Sequence, residues 1–391
     1  MPLGFRLKRR QALGLLGGLC AAALGLGAGC GEPRPTPTPD APDEEAPPLP
    51  CDLHPAEYWQ ALAGHVARCD LCWHRCTVAP GQVGFCKHRR NVGGAYYSML
   101  YGRPSALQID PVEKEPALHV LPGAPTYGVG TAGCNNRCLY CHNWHLSQRE
   151  VGELRTYPHT PEQIVEATRD ADCDAISFTF NEPTIFYEYM RDTAAKAREA
   201  GLLTMFHTNG GLQREPLKAL LPLMHAVTVD LKAFSEGFYR EVCASSLEPV
   251  LRTLETIREA GVHLEIVNLI VTTLNDNPDE LQRMCAWIAS TLGVDVPLHF
   301  TRFMPAYRLQ RLPPTPLGTL EQAAEIADAE GLEYVYIGAA GDQQRRHTYC
   351  PRCGEGLIYR KHFTVLEQHL VKGCCPQCGH RVPGIWWEDW R

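Results

Sequence analysis

The 391-residue chain has no block of basic residues, no apolar run long enough for a comfortable membrane span, and no scattered pattern of single cysteines. Each absence excludes a class. With 37 Lys and Arg against 44 Asp and Glu, the formal net charge is -7, so nucleic acid is not expected as the main partner. The longest apolar stretch, Ala12 to Leu26, is short and interrupted by glycine. Membrane association is therefore left to an N-terminal signal or a lipid anchor. The 18 cysteines fall mostly into C-x2-C and C-x3-C clusters, which favours metal ligation over the disulfide framework of a small secreted domain. The length suits one large domain with appendages, or two ordinary ones.

Residues 1–30 read as a processing signal. The stretch FRLKRRQALGLLGGLCAAALGLGAGC has a basic start with Arg9 and Arg10, an apolar run, and small residues up to Cys30. A twin-arginine signal ending in a lipoprotein-type cysteine is expected, with the bacterial cell envelope as destination. Gly27 stands where such sites usually carry a larger aliphatic residue. An uncleaved tether and a cytoplasmic protein without export are the alternatives. Residues 31–50, rich in proline and acid, read as an extended disordered linker. Residues 51–124 contain a cysteine-rich module too poor in apolar residues to fold on its own.

From about Pro125 to residue 343 apolar runs alternate with helical stretches. Strands are expected at TYGVGT, DAISFTF, LLTMFHT, AVTVDLKA, HLEIVNLIV, VPLHFTRF and EYVYIGA, with helices between them such as PEQIVEATRDA and EPVLRTLETIREAG. Strand then helix, repeated, implies a parallel sheet in an α/β fold; six or seven units suit a partial or complete (β/α) barrel better than an open doubly wound sheet, and the sequence leaves both open. Side-chain parity sharpens this. Ser177, Thr179 and Asn181 oppose Ile176, Phe178 and Phe180, while Thr228, Asp230 and Lys232 oppose Val227, Val229 and Leu231. If the apolar faces meet the helices, the barrel interior is polar and lines a cavity. The LEIVNLIV run does not resolve by parity.

The segment GCNNRCLYCHNW follows the first of these strands and sets Cys134, Cys138 and Cys141 at C-x3-C-x2-C spacing, with no fourth cysteine close by. Three thiolates can ligate three irons of a [4Fe-4S] cluster and leave one iron open to a small molecule. A zinc site completed by His142 or His145 is the alternative.

With RCLYCHN, the chain resembles a radical S-adenosylmethionine enzyme, and this loop is similar to that of pyruvate formate-lyase activating enzymes. The resemblance implies that the open iron chelates the methionine moiety of S-adenosylmethionine (SAM), and that reductive cleavage gives a 5'-deoxyadenosyl radical. It assigns Tyr140 to the adenine neighbourhood, and Asn181 and Glu182 of FNEPTIF to the methionine amino group. It also assigns Thr208, Asn209 and Asp230, in HTNG and DLK, to the ribose and methionine carboxylate. Lys232, His299 and Arg302 are further candidate contacts to cofactor or substrate. Four bland readings stand beside these: Tyr140 is a loop aromatic packing on the barrel rim, Glu182 before Pro183 caps a helix, Lys232 only pairs with Asp230, and His299 is structural. The wider set CDLCWHRCTVAPGQVGFCKHR, NEPTIF, DLKAFSEGFYREVC, HFTRFMPAY, LPPTP and CPQCGHRVPGIW resembles the radical enzyme of the AmmeMemoRadiSam system. That likeness implies a fold and cofactors, a low-potential electron donor, and other proteins of that system as candidate partners, with the substrate, a small molecule or a protein glycine, left open.

Two more cysteine sets are complete. Cys69, Cys72, Cys76 and Cys86 form C-x2-C-x3-C-x9-C, a ligand set for zinc or a second iron-sulfur cluster, with two disulfides as the alternative. In residues 344–391, Cys350, Cys353, Cys375 and Cys378, each pair in a C-P-x-C-G setting, read as a structural zinc ribbon. Cys173, Cys243 and Cys285 read as inert core residues. GIWWEDW is expected to pack a tail onto the ribbon. The rival functions are a noncatalytic multi-cluster electron-transfer protein and a zinc-ribbon scaffold, and a polar barrel interior argues against both. Export conflicts with the chemistry, because neither SAM nor a low-potential donor is expected outside the cytoplasm.

Overall fold

The computed structural model describes residues 53–338 and 344–390. The signal, Cys30 and the acidic linker read from the sequence lie outside these residues. Eight strands form one sheet: β1 (Ala106–Pro111), β2 (Pro125–Gly130), β3 (Ala175–Phe178), β4 (Leu203–Thr208), β5 (Ala226–Asp230), β6 (His263–Ile270), β7 (Leu298–Arg302) and β8 (Val335–Gly338). Their spatial order is their chain order. Pairs from β2 to β8 are parallel, and β1 runs antiparallel to β2. With β1 and β8 as edges, the barrel is partial. Residue 124 is not a domain boundary, because β1 belongs to the barrel sheet although it precedes that point.

The crossovers carry α1 (Pro161–Asp170), α2 (Tyr187–Glu199), α3 (Arg214–Leu220), α4 (Leu247–Glu259), α5 (Pro278–Trp287) and α6 (Leu317–Ala329). Their starts are set by local chemistry. Thr160 and Gln163 form a capping box ahead of Pro161, and the Asn277 side chain accepts from the amides of Asp279 and Glu280 ahead of Pro278. Among the described residues no helix is long and apolar enough to cross a membrane.

The barrel interior is layered. At the N-terminal ends of the strands, Ala175, Leu203, Met205 and Ala226 join Val120 and Leu121 in an apolar plug. Above it the buried Glu265 carboxylate meets His299 Nε2 at 2.6 Å and His263 Nε2 at 3.1 Å, and accepts from the amides of Leu118 and His119. Strand β6 thus places Glu265, Val267 and Leu269 inward, whereas Asn268 faces out and donates to the Leu231 carbonyl at 2.7 Å. A polar residue on the helix side and apolar residues on the cavity side explain why its sequence alternation was unreadable.

Before the barrel, two small three-stranded sheets carry the first cysteine set. They are fastened to α2 by a buried ion pair. Arg89 Nη2 lies 2.7 Å from Glu188 Oε1, with the two side chains 2% and 1% exposed. Arg89 also donates to the Glu57 carbonyl, and the Glu57 amide donates to Glu188. Arg89→Ala is expected to lower stability by about 3–5 kcal/mol by stranding a buried carboxylate, and the paired Arg89→Met, Glu188→Leu variant to recover most of it. Denaturant unfolding of the three proteins measures both.

The C-terminal residues form a third three-stranded sheet (Thr348–Tyr349, Gly356–Lys361, Thr364–Gln368). The tryptophan tail divides its contacts. Trp386 is buried with Cys350, Leu357 and Cys375, as the sequence reading expects of a tail packed on the ribbon, but Trp387 and Trp390 pack on the apolar plug of the barrel. Trp387 Nε1 donates to the Pro122 carbonyl at 2.9 Å.

Candidate active site

The polar faces meet at the C-terminal ends of the strands, where a cavity of about 290 Å³ opens. Its wall includes Cys134, Cys138, Tyr140 and Cys141 from the loop after β2, and Thr179, Phe180, Asn181 and Glu182 after β3. His207, Thr208 and Asn209 come from the end of β4, Asp230 and Lys232 from the end of β5, and Thr301 from β7.

The cysteine loop is shaped by its neighbours. Asn181 Oδ1 accepts from the Thr131 amide at 2.9 Å, and Asn181 Nδ2 donates to Thr131 Oγ1 and to the Gly133 carbonyl at 2.8 Å. Its amide thus brackets the loop as well as lining the cavity. Gly133 has φ +86, and a Cβ there would lie 2.3 Å from the His88 ring, so only glycine fits. The Arg137 and Leu139 amides donate to the Cys243 and Val242 carbonyls at 2.8 and 2.9 Å. The Cys243 thiol is core, as its apolar setting suggests, yet lies 3.6 Å from Tyr140 Oη. Phe180 was assigned to the helix side; its φ of +69 instead turns the ring inward over Gly128 and Gly130, where any Cβ would collide with it.

Glu182 is 3% exposed and nearly saturated. Its Oε1 accepts from the Thr184 amide (3.0 Å), from Thr184 Oγ1 and from Thr208 Oγ1 (2.8 Å); Oε2 accepts from the Asn209 amide at 2.7 Å. It therefore does cap the turn beginning at Pro183, while Oε2 retains acceptor capacity toward the cavity. Burial pushes this carboxyl up, against the pull of those donors.

Asp230 bridges an imidazole and an ammonium, with Oδ1 3.0 Å from His207 Nε2 and Oδ2 2.7 Å from Lys232 Nζ. Burial alone would raise its pKa, but Lys232 and then His207 hold it well below the usual carboxylate range. For His207, burial pulls down and the Asp230 carboxylate outweighs it, leaving a pKa raised from 6.5. A histidine raised on folding contributes stability that is complete below its unfolded pKa and is lost as pH rises through the folded one. His207 should therefore titrate above pH 6.5 by histidine NMR, and Asp230→Asn should move it back down.

Two candidates lie elsewhere. His299 is held by Glu265 and stacks on Tyr336 with ring centroids 5.1 Å apart. It faces a smaller cavity of about 140 Å³, which shares Pro116 and Thr301 with the main one. Arg302 donates through Nε to the Thr315 carbonyl at 2.7 Å and does not line the main cavity. His142 Nε2 is engaged with the Met304 carbonyl at 3.1 Å, and neither it nor His145 closes on the cysteines to make a compact three-ligand group among the described residues. The thiolates thus present three protein ligands toward a polar cavity, which fits a [4Fe-4S] cluster with one iron open to a small molecule.

Residues 129–288 match the family model described as the radical SAM superfamily. An uncharacterized protein of Methanocaldococcus jannaschii is 40% identical over 332 residues, 84% of this chain and 99% of its own length. The chain belongs to the radical SAM superfamily. Pyruvate formate-lyase 1-activating enzyme of Escherichia coli K12 is 22% identical over 52% of this chain and 89% of its own length. A solved domain of pyruvate-formate lyase-activating enzyme from Bacteroides vulgatus covers 42% of this chain and 99% of itself, at 17% identity and a TM-score of 0.38. As a radical SAM protein the chain is an enzyme, and membership implies reductive cleavage of SAM with a [4Fe-4S] cluster.

The C-terminal cysteines make a different kind of centre. Cys350, Cys353, Cys375 and Cys378 place all four Sγ atoms within 4.8 Å of one another. Cys350 and Cys378 are 3.5 Å apart, Cys353 and Cys375 3.6 Å. This group can hold one metal ion.

Sequence reasoning missed His207, although parity on LLTMFHT puts it inward after Leu203 and Met205. It also missed Ser147, whose Oγ lies 3.2 Å from Cys141 Sγ, because nothing in the motif marks it.

Proposed function

We propose that this chain is a radical SAM enzyme of the AmmeMemoRadiSam type that abstracts hydrogen from a substrate carbon. The observation that carries this reading is the convergence of Cys134, Cys138, Cys141, Glu182, Asp230 and Lys232 on one cavity. When bound, the cluster supplies one electron to the SAM sulfonium, and the resulting 5'-deoxyadenosyl radical is the hydrogen-abstracting agent. The protein's part is placement and exclusion of water.

In this reading Glu182 Oε2 accepts from the methionine ammonium, and Lys232 faces the methionine carboxylate while Asp230 keeps it oriented. Thr208 and Asn209 border the ribose, and Tyr140 packs against the adenine. Asn181 acts by bracketing the cysteine loop. The substrate enters beside Thr301 and Pro116, which line both cavities. A low-potential one-electron donor is the required partner. The C-terminal quartet holds zinc and the N-terminal quartet a metal centre. Residues 1–30 direct the chain to the envelope, and changing Arg9 and Arg10 to Lys should move it to the cytoplasmic fraction. Unchanged envelope recovery would sink the twin-arginine assignment.

The reading is tested by anaerobic reconstitution, dithionite reduction with SAM, and chromatography for 5'-deoxyadenosine. Product is expected from the wild type and not from Cys138→Ala. No product from a fully loaded, reduced protein would overturn the catalytic reading in favour of electron transfer.

A further inference from the structure

Cys69, Cys72, Cys76 and Cys86 are free thiols drawn together where the two N-terminal sheets meet the barrel. Cys69 ends a strand, and its amide donates to the Cys76 carbonyl at 2.8 Å. The Phe85 amide points at Cys76 Sγ from 3.3 Å. The turn leading to Cys86 packs on the same side chain: a Cβ at Gly84 would lie 3.6 Å from Cys76 Sγ, and the Lys87 amide closes that turn on the Gly84 carbonyl at 2.8 Å.

Spacing separates two kinds of thiolate centre. Four thiolates on one zinc ion, at bonds of about 2.3 Å, lie about 3.8 Å apart by tetrahedral geometry. The C-terminal quartet has that compactness. Among the described residues, neither the N-terminal quartet nor the active-site triplet contributes three sulfurs within 4.8 Å of one another. The N-terminal set, like the triplet, is thus less compact than the C-terminal quartet, which suits a centre where each thiolate binds its own iron better than one zinc ion shared by four.

Placement supplies the role. The turn bearing Cys72 is paired with the loop after β4: Cys72 bridges Leu212, and the Trp73 amide donates to the Gly211 carbonyl at 3.0 Å. His74 Nε2 lies 2.7 Å from the carbonyl of Asn135, the residue that follows Cys134. From the other side, Arg137 Nη2 donates to the Phe85 carbonyl at 2.6 Å and to the Cys134 carbonyl through Nη1 at 2.7 Å. Trp73, His74 and Phe85 are packed ring to ring, with successive centroids 3.8 and 3.9 Å apart. A continuous run of covalent and hydrogen bonds thus joins the two cysteine sets. Its outer end reaches the surface at Phe85, which is 37% exposed.

We infer that Cys69, Cys72, Cys76 and Cys86 hold a second [4Fe-4S] cluster that relays electrons from an external low-potential donor to the cluster at Cys134, Cys138 and Cys141. The relay rests on the radical SAM reading of the active site; the identity of the N-terminal centre does not. Each transfer oxidises the donor by one electron, reduces the N-terminal cluster, and returns it to its oxidised form as the same electron passes to the second cluster. No atom or proton changes place in the relay. One electron is consumed per SAM cleaved.

The test uses the full chain, reconstituted anaerobically with iron, sulfide and zinc. Metal analysis should give about eight irons and one zinc per chain, falling to about four irons with zinc retained in Cys72→Ser, Cys76→Ser. Cys138→Ala should keep the N-terminal irons, and its reduced form should give an electron paramagnetic resonance signal unaffected by SAM. This second variant guards against misfolding of the first. About four irons and two zincs in the wild type would overturn the second cluster.

The relay is read as the ratio of 5'-deoxyadenosine formed with a one-electron flavoprotein donor to that formed with dithionite. Loss of the N-terminal cluster should lower this ratio by an order of magnitude or more; an unchanged ratio would overturn the relay. A wild type with both clusters loaded and reduced that gives no product with either donor would instead refute the catalytic reading.

Discussion

Glu182→Gln is expected to lose SAM binding by at least about a hundredfold and to cost about 2–4 kcal/mol of stability, although the two side chains have the same shape. Glu182 meets donors on both oxygens, from Thr184 and Thr208 on one and from the Asn209 amide on the other. A glutamine has one acceptor oxygen and one NH2 group. Whichever way the amide turns, its NH2 faces a buried donor, and one of these bonds becomes a clash between two hydrogen-bond donors. The same NH2, turned toward the cavity, would also meet the methionine ammonium. Thermal unfolding and equilibrium dialysis against SAM separate the effects. A stability loss with SAM affinity intact would mean that Glu182 serves only as the cap and bracket of the turn.

That double use of one carboxylate was half legible in the sequence. Glu182 before Pro183 predicts a cap from local chemistry alone, and the alternation around Ser177 and Thr179 predicts a polar interior. What the sequence could not show is that Thr208 and Asn209, at the end of the next strand, engage the same carboxylate. Long-range pairings of this kind have no local signature. Strand β1 was missed for a similar reason: ALQIDP is short, and its strand conformation comes from its pairing with β2. His299 shows the opposite failure. The alternation in LHFTR, with His299 and Thr301 opposite Leu298 and Phe300, turns it inward, but depth along the barrel decides its partner. It lies in the Glu265 layer, below the cavity lined by Thr301. The cysteine sets were the most legible feature because metal ligation demands fixed spacing in the chain, whereas how compactly the C-terminal four close on one another appears only in three dimensions.

Removing the metal proposed for the C-terminal quartet should have the largest effect on stability and should reach beyond the ribbon. Were that metal zinc, four-thiolate sites of this kind would contribute about 10–16 kcal/mol of apparent binding energy to the folded state. Here the four thiols gather a small core in which Trp386 is buried, with its Nε1 donating to the Val382 carbonyl at 3.1 Å. From there the chain runs directly onto the barrel. The Ile385 amide donates to the His119 carbonyl at 2.7 Å, the Ile385 carbonyl accepts from the Leu121 amide, and Trp387 Nε1 holds the Pro122 carbonyl. His119 is in turn fixed through its own amide by Glu265. Loss of the ribbon therefore uncovers the apolar plug and loosens the buried carboxylate layer above it. Cys375→Ser with Cys378→Ser, or chelation of the wild type, is expected to red-shift the tryptophan fluorescence and lower Tm. Amide exchange should also rise at Leu121 and His119, well before the active-site loop. Full exchange protection across residues 344–390 in a protein shown by elemental analysis to carry no zinc would refute the metal as the source of that stability.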